Sequence, residues 1–179
     1  FDLWALRTGA ADKIAGLKFF NVYGPNEYHK DEMASVIFKA FHQVREHNRI
    51  RLFKSYKPQY EHGEQKRDFV YVKDVVEVIY WLLSSPGTNG IYNVGTGTAQ
   101  TWNQLAYAVF AALNKDPHIE YIEMPASLQE AYQYYTQAQI DKLRKAGYDK
   151  EFTPLAEGVS DYIQNYLTQH DAYLEAVSR

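Results

Sequence analysis

The sequence predicts an α/β fold. Short apolar runs of strand character take turns along the chain with longer stretches of helical period. Residues that start and stop helices stand at the junctions between them. Size agrees: 179 residues, 46% of them hydrophobic, suffice for a domain with a real core.

The elements follow in order. "FDLWALRTGAADKIAG" (1–16) opens in helical period, with Phe1, Leu3 and Trp4 on one side and Ala11, Ile14 and Ala15 further along. No N-cap residue, initiator Met or signal peptide precedes Phe1, so the start is expected to be a cut within a longer chain. "GLKFFNV" (16–22) reads as a buried strand, and "MASVIFKAFHQVRE" (33–46) as a helix with Asp31 as its N-cap. "RIRLF" (49–53) is a short strand, followed by a polar loop over 54–66 and a further strand, "DFVYV" (68–72).

Asp74 and Glu77 have capping-box spacing at the start of "DVVEVIYWLLSS", which Pro86 and Gly87 stop. "GIYNV" (90–94) is strand. "TWNQLAYAVFAAL" (101–113) is a helix boxed by Thr101 and Gln104, and "IEYIEM" (119–124) is strand. "TQAQIDKLRKAG" (136–147) repeats the box with Thr136 and Gln139. A last helix starts with Thr153 as N-cap and Pro154 at its first position, running to residue 168 or beyond.

Composition narrows the function. A net charge of -3 argues against a nucleic-acid partner, because that affinity rests on basic surface meeting phosphate. No apolar run approaches the roughly 20 residues of a membrane helix. Zero cysteines exclude disulfides, zinc-thiolate sites and thiol nucleophiles, and fit a cytoplasmic location. The six histidines show no metal-binding pattern: His42 and His47 lie about 140° apart on a helix, and His29, His62, His118 and His170 are scattered. All six read as surface or loop residues, and no metal is expected.

Three stretches carry possible chemistry. "VGTGTAQ" (94–100) resembles a dinucleotide fingerprint, but Gln100 stands where a third glycine would be needed, so an ordinary turn into a capped helix fits better. In "QKRDFVYVKDV" (65–75), Arg67 stands where a polar loop enters a strand, placed either to hold a phosphate bidentately or to pair with Asp68 or Asp74. Lys30 follows "FNVYGPNEYH". A lysine becomes a base only when burial or nearby positive charge lowers its pKa. Glu27, Asp31 and Glu32 would act the other way if they faced it, and spacing alone leaves Lys30 a solvated loop residue.

"LKFFNVYGPNEYHKDEMASVIF", "RLFKSYKPQYEHGEQKRDFVYVKDVVEV", "GIYNVGTG" and "TQAQIDKLRKAGYD" with "AEGVSDYI" together resemble the extended short-chain dehydrogenase/reductase family. "FNVYGP" and "RDFVYVKDV" are shared widely among its nucleotide-sugar epimerases and dehydratases. "EYHKDEMAS" and "YYTQAQIDKLRKAGYD" are most similar to the branch acting on ADP-heptose. The resemblance covers the whole chain and corresponds to the latter part of the family's proteins. It implies the C-terminal part of a Rossmann-type doubly wound enzyme plus a smaller substrate-binding α/β region. Residues 1–30 would be the last Rossmann elements and 31–179 mainly the substrate region. None of the sixteen tyrosines is followed four residues later by lysine, so the family's Tyr-x-x-x-Lys pair is missing and the chain alone is expected to be inactive.

For the intact enzyme the resemblance implies epimerisation at C6'' of ADP-glycero-manno-heptose, for lipopolysaccharide core synthesis. A hydride would pass from the carbinol to NADP (NAD being possible) and return to the other face of the reoriented keto sugar. Lys30 would be the acid–base group opposed to the missing tyrosine and would also touch the cofactor, as would Val22. Asn21 would touch substrate, Phe53, Lys54, Ser55 and Tyr56 would line the nucleotide pocket, Arg67 would hold the diphosphate and Tyr132 would close over the substrate. Glu32 and Lys39 depart from the family, the first standing where serine is often found and the second where histidine can be. Homo-oligomers are implied. The alternatives are a UDP-hexose 4-epimerase or dehydratase of the same fold, and a non-catalytic nucleotide-sugar binding module.

Overall fold

The computed structural model describes residues 1–169. Its first half runs α1 (Asp2–Arg7), β1 (Ala15–Phe19), β2 (Asn21–Tyr23), α2 (Val36–His47), β3 (Ile50–Phe53), β4 (Lys66–Arg67), β5 (Phe69–Tyr71) and α3 (Val72–Leu83). There follow β6 (Gly90–Val94), β7 (Gln100–Thr101), α4 (Trp102–Ala112), β8 (Ile119–Ile122), α5 (Ala126–Gln129), α6 (Asp141–Lys145) and α7 (Leu155–Tyr162). A π-helical turn, Ile163–Leu167, continues α7. Any extension of the last helix past residue 169 lies outside the described residues, as does His170.

The predicted strand over 16–22 is two strands. Up to Phe19 the chain pairs in parallel with β6, and from Asn21 it pairs in parallel with β5. The Phe20 N–H donates to the Val94 carbonyl and the Asn21 N–H to the Asp68 carbonyl, both at 3.0 Å, so the change of partner leaves no backbone donor unpaired. β5 is buried throughout, as a strand covered on both faces must be. Its alternation sends Phe69 and Tyr71 into one apolar cluster and Val70 into a second.

The larger cluster is built by helical period. α2 contributes Ile37, Ala40, Phe41 and Val44, and α4 contributes Leu105, Ala106, Val109 and Phe110. α7 adds Leu155, Val159 and Tyr162, and β3, which pairs in parallel with β8, adds Ile50 and Leu52. Each large side chain buried here stabilises the fold by ~1.5–3 kcal/mol. In the smaller cluster Val75 and Val78 of α3 and Leu143 of α6 pack on Val70, Tyr92 and Val94.

Helix starts diverge from expectation where a long-range partner competes. The Thr101–Gln104 box forms in full. α2 is capped by Ser35, whose hydroxyl accepts the Phe38 N–H at 3.2 Å, because Asp31 sits outside helical geometry at φ 44°. α3 begins earlier than predicted, at Val72. Asp74 inside its first turn binds Thr153 instead, and Glu77 pairs with Lys150. Thr153 is therefore a donor to Asp74 and not the cap of α7. α6 begins only at Asp141, so Thr136 and Gln139 make no box. At the N-terminus Gly9, in the left-handed region at φ 71°, ends α1 after one and a half turns. Phe1, Leu3 and Trp4 are exposed there; Ala5 and Ala11 are the buried ones. No helix among the described residues is long and apolar enough to cross a membrane.

Candidate active site

β4 places Arg67 at the centre of the site. Its pairing with Gln100 of β7 sets Trp102, the first residue of α4, beside it. Arg67 is 8% exposed, and its guanidinium lies 5.3 Å from the Tyr132 ring centre and 5.8 Å from that of Trp102. Cation–π contact with two rings fixes the plane of this cation. Nη1 donates to the Lys66 carbonyl at 2.9 Å.

Neither carboxylate weighed as a partner for Arg67 is available. The Asp68 oxygens accept the N–H groups of Thr96, Gly97 and Ala138 at 2.8, 2.9 and 3.0 Å, and the Thr96 hydroxyl at 2.8 Å. Asp74 is taken by Thr153. Among the described residues no carboxylate pairs with Arg67. Burial pushes its guanidinium below the ordinary value, although it stays charged at any working pH. A buried cation without a counter-ion is costly until an anion meets it, and its donor fork suits a phosphate.

Two cavities share this cluster. One, of about 370 Å³, is lined by Arg67, Asn21, Lys18, Asn93, Gln133 and Thr136 among others. The Thr136 hydroxyl is buried and without a partner among the described residues. The second, of about 540 Å³, has apolar walls of Leu52, Phe53, Trp102, Ile122 and Tyr132, with Lys39, Gln43, His47 and Arg51 as its polar lining. Both volumes suit a small-molecule ligand. Tyr132 stands edge-on to Phe53, ring centres 6.5 Å apart at 89°, and burial pushes its hydroxyl up, with Arg67 opposing.

The structure thus gathers Asn21 with Arg67, and Phe53 with Tyr132. It does not bring Lys54, Ser55 and Tyr56 to either cavity's lining. Lys54 and Tyr56 both bind Glu123, and the Ser55 N–H donates to His62 Nδ1 at 3.1 Å. Val22 is half-buried and packs against the smaller core cluster.

Lys30 lies on an exposed 3-10 turn, Tyr28–Met33. Two of its three acidic neighbours turn away. Glu27 is buried and bonded to Ser35 and Tyr162, and Glu32 pairs with Lys39 at 3.4 Å. The two departures from the family pattern, Glu32 and Lys39, are therefore partners of each other.

The glycine turn is an anion cradle turned inward. Its amides at 96 and 97 bind Asp68, and a Cβ at Gly95 would stand 2.6 Å from that of Ala138. No group of three His, Asp or Glu that could hold a metal occurs among the described residues. His42 differs from the surface reading: half-buried on α2, it packs edge-on against Phe38 at 4.6 Å. Trp102 is the site residue that sequence reasoning missed. It sits in a helical pattern as an ordinary first-turn residue, and a two-residue β4–β7 pair leaves no periodic signal.

Comparison with known proteins follows the same lines. The model of the NAD dependent epimerase/dehydratase family matches residues 3–95. The chain is 56% identical over 174 residues to the ADP-L-glycero-D-manno-heptose-6-epimerase of Nitratidesulfovibrio vulgaris (strain DP4), covering 97% of this chain and 54% of that protein. It spans about half the length of the curated relatives it matches. The Helicobacter pylori ADP-L-glycero-D-manno-heptose-6-epimerase crystal structure superposes with a TM-score of 0.74 at 28% identity, over 92% of this chain and 48% of that one. UDP-glucose 4-epimerase of Thermus thermophilus, solved with NAD, gives 0.68 at 25% identity, over 90% and 48%. The Rossmann-type α/β architecture is common to them, and the chain belongs to the NAD dependent epimerase/dehydratase family.

Proposed function

We propose that this chain forms the substrate side of an epimerase that inverts C6'' of ADP-glycero-manno-heptose in lipopolysaccharide core synthesis. The observation that carries the reading is Arg67: a buried residue whose guanidinium is clamped by two aromatic rings beside two cavities, with no carboxylate paired to it among the described residues. A diphosphate supplies the missing charge. The names of the most similar relatives favour ADP-heptose as its bearer. In this reading Asn21 and Tyr132 orient the sugar, Phe53 lies along the nucleotide, Lys54, Ser55 and Tyr56 would reach it only on leaving Glu123 and His62, and Lys30 holds or moves a proton at the C6'' hydroxyl. Residues 1–30 carry the last Rossmann elements and 31–179 mainly the substrate region.

NADP supplies reversible hydride acceptance when bound. In this reading Val22 and Lys30 would meet its reacting end. The glycine turn after β6 spends its amides at 96 and 97 on Asp68, so that turn offers no cradle for the dinucleotide phosphates. Those phosphates would be held elsewhere in the intact, cytoplasmic, homo-oligomeric protein, and the chain alone would bind nucleotide without turning over.

Lys30→Ala in the intact protein tests the reading, with C6'' inversion followed by NMR. Turnover should fall by about 100-fold or more, the usual scale for a lost acid–base group. Unchanged turnover, as a 4-epimerase would show, defeats it.

A further inference from the structure

One buried carboxylate ties the turn that carries Lys30 to the core. Glu27, three residues earlier, is 3% exposed. Its Oε2 accepts the Ser35 N–H at 2.6 Å, while Oε1 accepts the Ser35 hydroxyl at 2.7 Å and the Tyr162 hydroxyl at 2.9 Å. Ser35 is the N-cap of α2 and Tyr162 the last residue of α7, so these bonds tie the turn to two helices of the larger core. The backbone carbonyl of the same Glu27 accepts the Lys30 N–H at 3.0 Å.

The rest of the turn is held from its flanks: Tyr28 is half-buried against Phe38 and the larger core, and the Lys39 amine donates to the Glu32 carbonyl at 2.5 Å. None of its six residues is buried. Asn26 ahead of it has φ 69°, and Asp31 inside it has φ 44° and ψ -116°, a region that residues other than glycine seldom occupy. A backbone of this kind keeps a single shape only when its surroundings over-determine it. Glu27 is the charged side chain that reaches from the turn into the core.

We infer that Glu27 is a positioning residue for Lys30, its carboxylate setting where the Lys30 amine stands. The inference rests on the reading of Lys30 as the acid–base group. Such a group must come within hydrogen-bond reach of the proton it moves, and a misplacement of about 1 Å costs rate on the order of 100-fold. Glu27 does not itself meet substrate, since both of its oxygens are taken by core donors. Tyr162 remains one of them at any working pH: burial first, and then the adjacent carboxylate, push its hydroxyl well above the ordinary range.

The test uses the intact protein with Glu27→Gln, which keeps the size and one acceptor, Lys30→Ala, and the double variant. E27Q should lower kcat by about tenfold or more with KM within about twofold, and should lower kcat no further once Lys30 is gone, the non-additivity of residues acting as a unit. Amide exchange over 26–35 should rise by about tenfold or more while β1 and β6 keep their protection. An equal loss of kcat in both backgrounds, or unchanged rate and exchange in E27Q, overturns the inference and leaves the Lys30 reading intact. Full activity in K30A overturns both.

Discussion

The Asp74 carboxylate accepts the backbone N–H and the hydroxyl of Thr153, each at 2.8 Å, across 79 residues of chain. The two bonds pin the first turn of α3 to the segment entering α7. Bonds to a charged acceptor contribute about 1.5–3 kcal/mol each, and removal of the acceptor strands its donors. Asp74→Ala should therefore lower the urea midpoint by the equivalent of about 3–6 kcal/mol. Thr153→Val, which removes only the hydroxyl, should cost less. An Asp74→Ala variant with the parent's midpoint would show the contact to be dispensable.

Gly158 of α7 lies against Tyr23. A Cβ there would overlap the Tyr23 hydroxyl and stand 3.2 Å from its Cζ and 3.3 Å from Tyr71 Cγ. Alanine is the better helix former by about 1 kcal/mol, so propensity alone favours the substitution. Tyr23 is 1% exposed and has no room to retreat. Gly158→Ala should lower Tm, with overpacking costing about 1–3 kcal/mol. A raised Tm would mean that propensity wins.

Asp161 supplies a pH test. Burial alone would raise its carboxyl, but hydrogen bonds from Lys73 at 2.7 Å, Tyr71 at 2.6 Å and Asn165 at 2.6 Å more than offset this and hold it below the ordinary value. A lowered folded-state pKa means that the unfolded chain binds the proton more readily. The stabilisation is then present above the ordinary carboxyl pKa of about 3.9 and is lost as pH falls through the folded value. Asp161→Asn should lower stability at neutral pH and flatten the acid limb below about pH 4. Denaturation curves that fall in parallel for both proteins would refute this.

Arg67→Lys keeps the charge but loses the planar fork and its contact with two rings. ADP binding by calorimetry should weaken by about tenfold or more, that is about 1.4 kcal/mol, while adenosine binding stays as it was. Equal losses for both ligands would remove the diphosphate from the argument.

Much of this architecture was legible in the residues. The box at Thr101 and Gln104 and the strand around Phe69–Tyr71 stand where the pattern puts them, because local chemistry and burial agree there. Asp74 and Thr153 look like helix caps and are partners of each other, since spacing cannot reveal a donor 79 residues away. The break at Phe20 was hidden because both halves of the strand are apolar and each finds a parallel neighbour. At the site, Arg67 stood open between phosphate and ion pair until the turn at 96–97 was seen to occupy Asp68. Lys30 is a candidate only through resemblance, and Trp102 gives no signal in the sequence.

The clasp at Asp68 has a consequence for the lifetime of the assembled chain. It joins donors 28, 29 and 70 residues away, so it closes only after the strands and helices that present them have come together. Interactions that form after the transition state act on the reverse reaction. Asp68→Asn should speed unfolding in stopped-flow chevrons and leave refolding nearly unchanged. The inward-facing cradle then governs how long the site persists once formed, and has little part in how quickly it is found.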